Sequence, residues 1–378
     1  MKKPACTTKN SFSAAILAIF TLVGPVSFIP AGAQSARPDT TLMLMKKVAD
    51  WQLDHWQKEG MKWPAYDWVN AACYTGISAL ARVSGDSQYY RSLYAIAEKL
   101  DWNTGPHRTM ADDYCIGQLY SELYAHYRDP RMLAHFRAQC DTICSLPHTE
   151  SPEWKNDVYL REWAWCDALF MGPAGLAKLS TVTGDKKYLT TAIKLWWKTT
   201  DYLFDPGEKL YYRDSRFFDK KEANGRKVFW SRGNGWVLAG LARLLTETPP
   251  NFEGRQKLVR LFRQMAERII ALQQPDGTWR TSLLDPDHYP GKETSGTGFY
   301  CYALAWGVNH GLLNRQAALP AIHRAWEALR AAVQPDGKLG FVQAIGDQPG
   351  SSNENSTEAY GTGAFLLAGS EILALEGR

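Results

Sequence analysis

Apolar residues recur along this chain at steps of three and four, the spacing that puts side chains on one face of a helix. The pattern predicts twelve helices, near 41–59, 67–83, 87–100, 112–127, 131–145, 163–183, 186–203, 235–247, 254–273, 295–312, 316–333 and 358–376. Two kinds of joint connect them. SGDSQYY (84–90) and TGDKKYL (183–189) share a Gly-Asp turn, a polar pair and a Tyr that opens the next helix. YRDPRML (127–133) is a looser copy, with Pro in a first helical turn, where its missing N–H costs nothing. These are short αα-hairpin turns. The second joint is longer. QQPDGTWR (273–280) and VQPDGKLG (333–340) break the preceding helix with Pro-Asp-Gly, and FDPGEKLYY (204–212) is a permuted relative.

Helix, short turn, helix, long loop: repeated hairpins bury their faces only against neighbours and so stack into solenoids or closed rings. Six pairs of irregular length predict an all-α fold, an (α/α)6 toroid of six helical hairpins forming one domain over residues 34–378. If the long loops share one end of the ring, the helices that they feed all start there. Those lead-ins are DWVNAACYTG (67–76), ADDYCIG (111–117), REWAWCDALFMG (161–172), WSRGNGW (230–236), ETSGTGFY (293–300) and STEAYGTG (356–363). They are rich in Gly, acids, hydroxyls and Trp. Six of them would line one cavity, whose helix N-termini favour an anionic ligand.

Composition adjusts this picture in three places. Residues 1–33 carry Lys2, Lys3 and Lys9, an apolar run over 14–23 and the small-residue site Ala31-Gly32-Ala33, the pattern of a secretory signal peptide. The expected product is exported, to the periplasm or the medium. The whole chain is +4, and without that leader the rest is close to neutral, which argues against nucleic acid or a membrane as partner. The six cysteines beyond the leader match no zinc spacing and are expected as buried free thiols; the scattered histidines support no metal, and no cofactor is called for. The 15 Trp and 18 Tyr suit core packing and also contact with sugar rings.

Within the lead-ins, Asp167 stands out: a carboxyl among Trp163, Trp165, Phe170 and Met171. Apolar surroundings raise a carboxyl pKa toward the range that a general acid needs. The alternative is a structural acid paired with Arg161, Arg232 or a backbone donor. Asp112 and Asp113 open a helix, where one could be a cap but not both. Arg232, between Trp230 and Trp236 with two glycines beside it, suits bidentate binding of a carboxylate or an ion pair with Asp167. Glu293 and Glu358 are either helix caps or cavity acids, and His107 is a loop residue ahead of the acidic pair.

The segments DALFMGPAGLAKLSTVTGDKKYL, WSRGNGWVLAGLARLL, ETSGTGFYCYALAWGVNHGLL and TEAYGTGAFLLAGSE resemble the unsaturated glucuronyl and rhamnogalacturonyl hydrolases of glycoside hydrolase family 105, sister to family 88. The likeness covers nearly all of the chain after the leader. It implies the same toroid and a distinctive reaction on oligosaccharides ending in a 4,5-unsaturated uronic acid. An acid protonates C4, water adds at C5, and the hemiketal collapses. In that resemblance Asp167 is the catalytic acid and Asp112 the second acid that orients substrate, with Asp113 beside it. Trp230, Arg232 and Trp236 hold the sugar. Arg213 stands where members acting on rhamnogalacturonan often carry His, so an Arg faces the ligand instead. Three rivals share the toroid: a sugar epimerase, disfavoured because the lead-ins contain no His; an ordinary inverting glycosidase with Asp167 and Glu358 or Asp112; and a non-catalytic oligosaccharide-binding protein.

Overall fold

The structure, a computed structural model, describes residues 38–155 and 158–377. The leader expected at 1–33 lies outside them. The helices, in chain order, are α1 (Pro38–Glu59), α2 (Trp68–Ser84), α3 (Ser87–Lys99), α4 (Cys115–Tyr127), α5 (Arg131–Ser145), α6 (Val158–Glu162), α7 (Ala168–Thr183), α8 (Lys186–Leu203), α9 (Ser231–Glu247), α10 (Arg255–Ala271), α11 (Thr294–Asn309), α12 (Arg315–Ala331) and α13 (Ala359–Glu376). A two-stranded ribbon, β1 (Phe204–Asp205) with β2 (Leu210–Tyr211), is antiparallel, pairing Phe204 with Tyr211.

Six helices form a closed inner ring. α2 packs on α4, α4 on α7, α7 on α9, α9 on α11, α11 on α13, and α13 back on α2. α3, α5, α8, α10 and α12 each follow their inner partner and lie outside it, and α1 covers α13. Sequence decides which layer a helix joins. α11 is apolar or small throughout and all of it is buried, whereas α10 buries one stripe, from Leu258 to Ile269, and gives the rest to solvent. Among the described residues no helix is long and apolar enough to cross a membrane.

The short joints have the expected physics. Gly85 and Gly184 end α2 and α7 with left-handed backbone, and the next residue, Asp86 or Asp185, caps the following helix through Gln88 N or Lys187 N. In the long joints Gly277 and Gly337 take φ +87° and +106°, and a Cβ on either would strike the carbonyl of Arg324 or Lys47. All six cysteines among the described residues are free, and all but Cys144 are buried.

One predicted helix is broken. Residues 163–183 do not run on as one unit: α6 stops at Glu162, Trp163 takes φ +54°, and α7 starts only at Ala168. The break is held by tertiary contacts invisible to periodicity. Trp163 Nε1 donates to Thr109 O at 3.0 Å, its carbonyl accepts from Thr199 Oγ1 at 2.8 Å, and its ring fills the space a side chain on Gly172 would need. Asp167 therefore sits at the start of a helix, not inside one as the pattern suggested.

Candidate active site

Of the six lead-ins expected to line one cavity, three do so, those that carry Trp68, Asp112 and Asp167. This cavity of about 350 Å³ is lined by Trp68, Asp112, Trp165, Asp167, Met171, Arg213, Ile345, Gly346 and Asp347. A larger hollow beside α1 is lined by none of the lead-in residues.

Asp167 is brought to the cavity by the turn after Trp163. Cys166 N donates to Arg213 O at 2.9 Å, which ties that turn to the strand end beyond β2. Asp167 Oδ2 lies 3.4 Å from Arg213 Nε and 3.5 Å from the Cys166 thiol. It caps nothing, so its carboxyl is left for the cavity. Burial raises its pKa, and the charges of Arg213 and Arg232 only partly offset this. The anticipated partners Arg161 and Arg232 do not pair with it. Arg161 reaches Glu150 and Glu162, and the pairing cation is Arg213.

Asp112 stands on the 3-10 turn Ala111–Tyr114 that leads into α4, pinned because Tyr114 OH donates to Arg108 O at 2.7 Å. Its carboxyl is half-buried and, among the described residues, engages no hydrogen bond or ion pair. Burial and then the neighbouring Asp167 charge push it up to about 8. Burial and crowding thus bias both carboxyls toward their protonated forms.

The other predicted residues are placed differently. Asp113 turns away from the cavity and accepts from His107 N at 2.6 Å, with the exposed His107 ring at 3.3 Å. Trp230, Arg232 and Trp236 are buried behind the wall, at 2%, 1% and 0% exposure, and do not line the cavity. The reason is that their polar groups are spent on a loop. Arg232 donates to Gln343 O and to Ala344 O at 2.9 Å while stacked between Trp230 and Tyr360, and Trp230 Nε1 donates to Gln343 Oε1. Trp236 packs in an aromatic core with Phe170, Phe299 and Trp68. Together they fasten the segment whose next residues, Ile345 to Asp347, form one side of the mouth. Glu293 is a buried cap that accepts from Ser295 N, Gly296 N and Gln343 N; Glu358 meets Lys62 at 3.2 Å.

Trp68, Trp165, Met171 and the 345–347 loop line the cavity without having been singled out. Trp68 and Trp165 were legible, since both fall within the lead-ins. Trp68 stacks on Tyr360 with centroids 5.5 Å apart, which fixes one ring face toward the cavity wall. The 345–347 loop carries no local signal of this role.

The ring of six hairpins thus carries two neighbouring carboxyls with raised pKa, the Arg213 guanidinium and aromatic walls at its mouth, and its relatives identify it as a glycoside hydrolase. Residues 44–376 match the family described as Glycosyl Hydrolase Family 88, and the chain belongs to that family. An unsaturated 3S-rhamnoglycuronyl hydrolase of Formosa agariphila is 38% identical over 96% of this chain and 98% of its own length. A solved structure described as a polysaccharide lyase is 32% identical, with a TM-score of 0.81 over 89% of this chain and 97% of that one. A possible family 105 member from Klebsiella pneumoniae, 18% identical, shares the fold with a TM-score of 0.73 over 94% and 99% of the two chains.

Proposed function

We propose that the protein removes a 4,5-unsaturated uronic acid from the non-reducing end of lyase-generated oligosaccharides. The observation that carries this reading is the carboxyl pair: Asp112 and Asp167 share one small cavity, both with raised pKa, beside a single guanidinium. Hydration of an enol ether needs an acid that keeps its proton near neutral pH and a base that takes one from water. Asp167 donates its proton to C4. The positive charge that develops at C5 is shared with the ring oxygen. The Asp167 carboxylate then takes a proton from the water that adds at C5, and the resulting hemiketal collapses, expelling the rest of the chain as an alcohol. Asp112, still protonated, donates a hydrogen bond to the sugar and steadies its neighbour. Arg213 meets the C6 carboxylate, with Trp68 against the ring. Asp113, Trp230, Arg232 and Trp236 act at one remove, by shaping the wall.

The Formosa relative acts on unsaturated rhamnoglycuronyl substrates by its name, which makes an uronyl–rhamnose fragment the first substrate to offer. Export through the leader expected at 1–33 would place the enzyme where such fragments arise. The test follows the ultraviolet absorbance of the C4=C5 bond. Falling absorbance with release of the second sugar supports hydration. Rising absorbance on intact polysaccharide would make it a lyase, unchanged absorbance with cleavage an ordinary glycosidase, and binding without turnover a non-catalytic module; each of these overturns the proposal.

A further inference from the structure

Asn234, in the first turn of α9, is fully buried and does not line the cavity. Its side-chain amide is spent on the ribbon instead. Nδ2 donates to Tyr211 O at 2.9 Å and to Trp230 O at 3.1 Å, and Oδ1 accepts from Tyr211 N at 2.8 Å. The ribbon explains why. Tyr212 N donates to Leu203 O at 3.0 Å and Lys209 N to Asp205 O at 2.7 Å, so the N–H and C=O of Tyr211 point to the edge of β2 away from β1. That edge is buried, and an unpaired backbone group there would cost as much as a lost hydrogen bond. One amide gives both groups a partner, as a neighbouring strand would.

What ties this clasp to the chemistry is the residue two positions on. Arg213 follows β2, its carbonyl accepting from Cys166 N at 2.9 Å and its Nε 3.4 Å from Asp167 Oδ2. The strand end is thus fixed at two points, to α9 through Tyr211 and to the turn of Asp167 through Arg213. α9 also touches that turn directly, since a Cβ on Gly233 would lie 3.0 Å from Cys166 Sγ. Asp214 holds the far end of the guanidinium, accepting from Nη1 at 2.8 Å, but it is the next residue in the chain and moves with the strand.

We propose that Asn234 is a positioning residue for the reaction: by clasping both backbone groups of Tyr211 it holds the Arg213 guanidinium against Asp167 and within reach of the substrate carboxylate. The inference rests on the function proposed above. An amide serves because the two bonds to Tyr211 require a donor and an acceptor on one short arm. The consequence is electrostatic as well as geometric. Burial, the largest influence on both Asp167 and Asp112, raises their pKa values, and the Arg213 charge opposes it at each. The Cys166 thiol beside Asp167 is kept protonated by burial. The other charges that act on the two acids are anchored separately: Arg232 by the carbonyls of Gln343 and Ala344, Asp113 by His107 N, and Asp67 by Val69 N at 2.9 Å. Loss of the clasp therefore moves Arg213 and leaves these in place, and both acids then hold their protons to higher pH.

The experiment measures kcat and KM of the full protein against pH on an unsaturated uronyl disaccharide, for wild type, Asn234→Ala, Arg213→Ala and the double variant, with circular dichroism to check the fold. Asn234→Ala is expected to raise KM about tenfold, the scale of a misplaced hydrogen bond to a charged group, and to move the alkaline fall of kcat/KM up by roughly half a pH unit. In the Arg213→Ala background the same substitution is expected to change kcat/KM by less than about threefold, because a residue that acts through Arg213 has nothing left to position. An unchanged KM or an unmoved alkaline limb in folded Asn234→Ala, or effects that multiply in the double variant, overturns the proposal; a site merely loosened would lose rate without shifting the limb. If Asn234→Ala does not fold, Asn234→Asp decides: it keeps the shape and the acceptor for Tyr211 N but loses the donor, and an unchanged KM overturns the proposal. A wild type that consumes no unsaturated uronyl substrate would instead sink the proposed function.

Discussion

A buried carboxyl keeps its proton to higher pH, and at this mouth two such carboxyls stand together. Asp167→Asn removes the donated proton while keeping shape. It is expected to abolish turnover with an unchanged fold by circular dichroism; activity surviving within about tenfold, roughly 1.4 kcal/mol in barrier, would refute the assignment. Asp112 has the clearer pH signature. Its folded-state pKa, near 8, lies above the ordinary carboxyl value, so the folded protein binds the extra proton. Stability is then full below the ordinary carboxyl value of 3.8 and falls as pH rises from there to about 8. Asp112→Asn mimics the protonated form and should raise the melting temperature relative to wild type far more at about pH 9 than at about pH 4. In wild type, kcat/KM should decline as pH passes about 8, and the variant should lose that limb along with most of its rate. Both acids could be singled out in the sequence, Asp167 from its apolar neighbours and Asp112 from an adjacent pair that one cap could not explain, and both line the cavity. What the sequence misassigned was Arg232. A charged residue between two tryptophans looks the same whether its donors face a ligand or two backbone carbonyls, and only the loop at residues 343 and 344, 111 and 112 positions further along the chain, decides between them.

At the scale of elements, the site depends on a few fixings between pieces distant in sequence. Arg232→Lys keeps the charge but loses the fork that serves Gln343 and Ala344 at once. A loss of about 2 kcal/mol in chemical denaturation is expected, with a raised KM as the 345–347 segment loosens. The α2–α13 contact makes a second demand. Gly363 presses on the backbone of Ala72 and Cys73, and Gly76 on Gly363 itself, so no Cβ fits at either position. Gly363→Ala should cost roughly 1–3 kcal/mol by the same measurement, through separation of two inner helices. The hairpin turns were readable because their chemistry is local: a left-handed glycine and a capping aspartate adjoin in the chain. The break at Trp163 was not, because the groups that stabilise it, Thr109 and Thr199, come from other elements.

The whole molecule is a ring, and a ring has no independent half. The repeat of six hairpins could be counted in the sequence; its closure could only be inferred from irregular repeat lengths, and contact of α13 with both α1 and α2 is what completes it. A chain ending at residue 358 should accordingly lose its single cooperative melting transition and all activity, rather than a sixth of either; a truncated protein that still melts sharply would refute this. The same closure sets a schedule for biosynthesis. Trp68 leans on Tyr360, and the loop at 343–347 arrives just ahead of the final helix. Until nearly the last codon is translated, the first inner helix has an uncovered apolar flank and the pocket lacks a wall. The ring can therefore close, and the pocket gain its last wall, only once the final helix has been made.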